Sequence, residues 1–170
     1  ALIILFLSYL SIPNIYNKSD IVRVLKSELF AKFKLNISFS KKLHYNFFPR
    51  PHFSTEENFI FYNGNEIAKI NNLKIYISPK NLFSLNDLSI SNVILEDTNF
   101  NLNKNNYNFF INILDNNFLN TTLKIKNSNI FFSSIEREVL FINKISEMIY
   151  YFNEKKQSNF LYSDNELFNI

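Results

Sequence analysis

From Leu35 onward the chain abandons any helical period and alternates apolar with polar residues, one short segment after another. Leu35, Ile37 and Phe39 alternate with Asn36, Ser38 and Ser40, and Leu73, Ile75 and Ile77 alternate with Lys74, Tyr76 and Ser78. Successive strand side chains point to opposite faces, so such a pattern describes strands with one greasy side. The only glycine sits in Asn63-Gly64, between Phe59-Ile60-Phe61-Tyr62 and Glu66-Ile67-Ala68-Lys69-Ile70. Two consecutive positive-φ residues are what a tight hairpin turn requires, and Asn-Gly provides them. Further strands are predicted at residues 90–95, 100–102, 123–125, 130–132 and 138–142, with Asn and Asp clusters such as Asp115-Asn116-Asn117 as turns. With no helix-length insertion recognised between strands, the expected fold is mainly β: a curved, antiparallel, meandering sheet with one apolar face.

The first residues have another character. Leu2, Ile3, Ile4, Leu5, Phe6, Leu7 and Leu10 make an apolar run closed by Pro13. A membrane-crossing helix needs ~20 such residues, so the run is expected to be the carboxyl half of a transmembrane anchor whose start lies upstream. A signal-peptide core is the rival reading, but no Ala-x-Ala-like cleavage site follows. The expected organisation is a partial anchor at 1–13, an amphipathic helix within 14–34 and a β-rich domain at 35–170 that stops short of its natural end. For the helix, Ser19 or Asp20 offers a cap and Val22, Leu25, Leu29 and Phe33 form a stripe, with Arg23, Lys26 and Lys34 elsewhere.

Several kinds of chemistry find no footing. One glycine leaves no phosphate-cradling loop, and the absence of cysteine removes disulfides and thiolate metal sites. His44 and His52 are the only imidazoles. Glu56 and Glu57 follow His52, but the usual ligand spacings are missing, so no catalytic, cofactor or metal site is expected. Between Lys18 and Lys42 seven cations stand against two carboxylates, interleaved with Phe30, Phe33 and Phe39. Solvated faces in a chain rich in Asn, Lys and Ile account for these residues, and no nucleic-acid partner is expected. Proximity to anionic lipid headgroups is the second reading.

The order of segments resembles the amino-terminal region of the AsmA family over most of the chain. An apolar anchor is followed by a short helix (residues 20–34) and a strand at residues 35–39. The Phe48-Pro49-Arg50-Pro51 step matches a Phe-Pro-x-Pro-like corner, and Ile75 to Phe83 matches a strand followed by a Ser-Pro-x-x-Leu element. Leu88 to Asn101 fits the next strand pair, and Asn106-Tyr107-Asn108-Phe109 stands where members often carry Gly-x-x-Asn-Trp. The departures are consistent: the family's glycines are mostly Asn or Lys here, and its Trp is Tyr107 or Phe109. The resemblance implies a non-enzymatic, single-pass protein of the bacterial inner membrane with its bulk in the periplasm, acting in outer-membrane biogenesis and lipid homeostasis. Phospholipid is the implied cargo, along a groove expected to include Leu73, Ile75 and Ile77; closure of those residues into an ordinary core is the competing expectation. A scaffold for envelope-assembly proteins and a secreted β-rich surface protein are the alternatives.

Overall fold

The computed structural model describes residues 2–134 and 138–169. Helix α1 (Leu2–Leu10) leads through a short 3-10 turn (Ile12–Ile15) into α2 (Lys18–Phe33). Asn17, not Ser19 or Asp20, caps α2: its Oδ1 accepts the Ser19 N–H at 2.9 Å. Lys34 ends the helix in the left-handed region, φ 54°, where its N–H reaches the Leu29 and Phe30 carbonyls. The buried stripe is Ile21, Leu25, Leu29 and Phe33. Val22 is only half-buried and does not belong to it, because the four-residue steps back from Phe33 land on Ile21.

The remainder is one mainly β layer, a mixed sheet of eight strands in the order β1-β3-β4-β5-β6-β7-β8, with β2 also on β3. The strands are β1 (Asn36–Ser38), β2 (His44–Asn46), β3 (His52–Tyr62), β4 (Asn65–Ile77), β5 (Ile90–Leu102), β6 (Thr122–Ser133), β7 (Val139–Asn153) and β8 (Ser158–Asn169). The expected hairpin joins β3 to β4, with Asn63 and Gly64 at φ 50° and 79°. The expected all-antiparallel meander is corrected at one step: β5 and β6 run parallel. Parallel neighbours need a crossover of a dozen or more residues. Residues 103–121 supply it, including the short helix α3 (Phe109–Ile113). The Asn residues of this stretch read as turns, but Phe109, Phe110, Ile113 and Phe118 are buried in the core.

α2 and the crossover cover one face of the sheet. The Phe33 ring lies 5.9 Å from Phe118, and Phe118 stacks on Tyr150 of β7 at 5.7 Å and 17°. The Tyr150 hydroxyl donates to the Phe110 carbonyl at 2.9 Å, and burial holds its pKa far above the ordinary tyrosine value. At the other side of α2, the Lys32 ammonium donates to Ser89 Oγ at 2.6 Å and the Ile90 carbonyl at 2.9 Å, fixing the helix to the start of β5.

Five strands share an interruption. Each inserts two successive outward residues where alternation allows one: Glu56-Glu57, Asn71-Asn72, Glu96-Asp97, Lys126-Asn127 and Ser146-Glu147. The register aligns them, with Glu56 opposite Asn72, Asn72 opposite Glu96, Glu96 opposite Lys126 and Lys126 opposite Glu147. Glu57, Asp97 and Asn127 adopt left-handed backbone, φ 53°, 53° and 46°. A one-residue slip would turn every later side chain to the wrong face. The left-handed residue compensates for it, and Ile60, Phe100 and Ile130 return to the core. Immediately after each lies a buried polar residue, Asn58, Thr98 or Ser128. Two of these occupy backbone groups near the break: Ser128 Oγ accepts the Thr98 N–H at 3.0 Å and donates to the Lys126 carbonyl at 2.6 Å, while Asn58 Nδ2 donates to the Thr55 carbonyl at 3.3 Å.

Two stability predictions follow from this row. A β-branched residue at φ 53° is strained, so Asp97→Val is expected to cost about 1–2 kcal/mol, while Asp97→Gly leaves the urea midpoint near that of the parent. Thr98 Oγ1 meets no hydrogen-bond partner among the described residues. Thr98→Val should therefore raise stability by about 1 kcal/mol in the same titration.

Candidate membrane-facing and lipid-facing surfaces

Three tyrosines tie the foot of α1 to the sheet. The Tyr45 hydroxyl of β2 donates to the Leu10 carbonyl at 2.6 Å. Tyr9 donates to the Pro79 carbonyl at 2.6 Å and accepts the Leu82 N–H at 3.1 Å. Tyr16 donates to the Leu82 carbonyl at 2.7 Å. The helix is thus held by the β2 hairpin on one side and the β4–β5 loop on the other, at the sheet end formed by the start of β3, the end of β4 and the start of β5.

Above this foot, α1 has no cover from the described residues. Exposure falls from 83% at Leu2 to 43% at Leu7, and the intervening Ile3, Ile4, Leu5 and Phe6 are all exposed. Leu10 is the anchor candidate that reaches the core. The helix has nine residues, and no described helix is long and apolar enough to cross a membrane.

Burial raises the Tyr45 pKa from 10.0 to about 12, and burial followed by the neighbouring Tyr9 raises Tyr16 as well. A hydroxyl that holds its proton more tightly folded than unfolded contributes stability that is complete below the unfolded pKa and is lost as pH rises through the folded one. The foot of α1 is therefore expected to loosen between pH 10 and about 12. Tyrosinate absorbance should follow that step, and Tyr45→Phe should remove its largest component.

The proposed groove residues are differently placed. Leu73, Ile75 and Ile77 are each at most 2% exposed and share one core with Leu25, Leu29 and Phe33 of α2. This stretch of the apolar face is closed core in the structure, the competing expectation, and α2 packs into the same core.

The same face is open farther along the sheet. On β6 and β7, Leu123, Ile125, Ile145 and Tyr150 are fully buried, but the residues that continue this face on β8 are not. Leu161, paired with Tyr150, is 37% exposed, and Leu167, paired with Asn143, is 63% exposed. At the sheet end away from α1, Phe141 stacks on Phe132 at 4.3 Å and remains half-exposed. The alternating pattern of residues 159–170 is visible in the sequence, but nothing in it marks Leu161 and Leu167 as exposed. The outer face changes here too. It is polar on β4 to β6, where Lys74 pairs with Glu96 at 3.7 Å and Lys126 with Glu147 at 3.4 Å. On β7 and β8 it exposes Tyr162 and Phe168 beside Lys144, Asp164 and Glu166.

Residues considered for metal or acid–base chemistry do not converge. His52 is buried, stacks on Tyr76 at 5.0 Å and has its Nδ1 2.8 Å from the Arg50 carbonyl. Glu56 and Glu57 face solvent and pair with Lys41 at 3.5 and 3.3 Å. His44 is exposed on β2. Among the described residues no three His, Cys, Asp or Glu side chains gather around a possible ion.

The chain matches no protein-family model, and a search of curated proteins finds no match.

Proposed function

We propose that this chain is a membrane-tethered, non-enzymatic β domain of the AsmA type, held at the bacterial inner membrane with its sheet in the periplasm, that handles phospholipid on one apolar face. α1 is the membrane-inserted part of the anchor, and the lipid surface lies on β7 and β8. The observation that carries this reading is the emergence of the core face from under its helical cover at β8, where Leu161, opposite buried Tyr150, and Leu167 stand exposed on either side of Ser163 and Asn165. Exposed apolar surface is unfavourable in water, and each methylene of an acyl chain laid along it would gain about 0.8 kcal/mol. Leu161 lies toward the α1 end of the sheet and Leu167 toward the far end, so a chain lying along them would lead away from the bilayer.

The test is lipid analysis of the protein purified in mild detergent. Phospholipid should accompany the parent chain and be largely lost from the Leu161→Asp, Leu167→Asp double variant, whose substitutions fall on partly exposed positions and should leave folding intact. A parent chain free of phospholipid, or a variant that retains it, would contradict the reading.

A second reading, a scaffold that docks envelope-assembly proteins, is favoured by the outer face of β7 and β8. Tyr162 and Phe168 expose aromatic surface there, on either side of the charged pairs Lys144–Glu166 and Glu147–Asp164 in the strand register. Among the described residues β8 is also the last strand of the sheet and presents one unpaired edge, a surface that can accept a partner strand.

A further inference from the structure

We infer that the sheet end carrying α1 is itself a membrane-interface surface, so that the domain is seated on the bilayer in a fixed orientation and does not hang from a flexible tether. This rests on the membrane reading of α1. The tyrosine ties bring three segments to the foot of the helix: the turn after α1, the β2–β3 loop and the β4–β5 loop. Each exposes large apolar side chains at its surface: Ile15 on the first, Phe47 and Phe48 on the second, and Phe83 on the third. Phe48 is 80% exposed and Phe83 76%, although Phe83 sits 5.1 Å from the Tyr9 ring at the helix foot.

The charge on these segments is mainly positive. Residues 9–18, 45–51 and 78–89 contain Lys18, Arg50 and Lys80 against the single carboxylate Asp87. Arg50 lies over the Tyr76 ring at 4.9 Å, which holds its guanidinium beside Phe48 at the same sheet end. Apolar rings with an excess of cations suit the headgroup boundary of an anionic bilayer, where rings enter the acyl edge and cations meet phosphates. At the opposite end the turns Asn63-Gly64-Asn65-Glu66 and Asn103-Lys104-Asn105-Asn106 are polar, and the exposed Tyr107, Leu140 and Phe168 share that end with the carboxylates Glu66 and Glu138. The occupant is therefore the bilayer surface, continuous with the place where α1 enters it. Seated this way, the sheet begins at the membrane, and the open face on β7 and β8 starts beside it.

The chain has no tryptophan, so a single introduced indole reports on its own position. Phe48→Trp and Tyr107→Trp, made separately in the full chain, would be reconstituted with vesicles of phosphatidylethanolamine and phosphatidylglycerol. Flotation reads the anchor, and Trp emission with quenching by lipids brominated near the headgroup reads the seat. The expected result is flotation of both proteins, with a blue shift and strong quenching for the indole at 48 and neither for the indole at 107. Flotation with both indoles in water would overturn the seat and leave the anchor standing. Failure of both proteins to float would overturn the anchor reading and the seat with it.

Discussion

A protein carrying Ile4→Asp together with Leu5→Asp is expected to leave the membrane fraction almost completely. Both side chains are exposed on a helix that touches the fold only at its foot, so the substitutions remove no core packing. Their cost falls on the bilayer. A charged residue in the apolar part of an inserted helix costs roughly 2.5–3.5 kcal/mol, so the pair is worth about 5–7 kcal/mol, or a partition change on the order of ten-thousandfold. Membrane fractionation and flotation would measure it, and the urea midpoint should not move. If the double variant stayed with the membranes, α1 would not be the anchor. Its apolar surface would then be covered by protein, and the scaffold reading would gain.

The second large effect concerns the cover on the apolar face. Phe33 is fully buried at the last turn of α2 and meets Phe118 of the crossover, which in turn stacks on Tyr150 of β7. Three segments distant in sequence thus join through one aromatic column. Phe33→Ala removes the end ring and leaves a cavity between α2 and the sheet, at an expected cost of about 3–5 kcal/mol. For a chain of this size that lowers the melting temperature by roughly 10 °C. Phe33→Leu, which keeps most of the volume, should cost under about 1.5 kcal/mol. Calorimetry or thermal circular dichroism decides the matter. A Phe33→Ala protein as stable as its parent would mean that α2 rests loosely on the sheet and can lift, and Leu73, Ile75 and Ile77 would return as groove residues.

Much of the β character was legible because alternation and turn chemistry are local. Leu73, Ile75 and Ile77 announce a one-sided strand, and Asn63-Gly64 announces the hairpin that joins β3 to β4. What failed was continuity. The double outward steps at Glu96-Asp97 and Lys126-Asn127 break the period, so β5 and β6 each read as two short strands divided there. Only the aligned left-handed residues of the neighbouring strands show that the break is shared across the sheet, and that alignment is a property of register. The crossover was hidden for a related reason. Asn-rich composition masks the apolar content of residues 109–118, and a helix of five residues leaves little periodicity to detect. Which apolar residues are core and which are open could not be read from pattern at all. Ile75 and Leu167 have the same kind of sequence neighbourhood, and only the placement of α2 separates them.

The most direct measurement is in-cell photocrosslinking with a photoreactive residue placed in turn at Leu167, at Ile75 and at Lys124. Leu167 lies on the open part of the apolar face, Ile75 on its closed part and Lys124 on the outer face of β6. The account predicts phospholipid adducts at Leu167 and none at Ile75 or Lys124. If Leu167 couples only to protein, the open face is a protein-docking surface and the lipid-handling role is wrong for this chain.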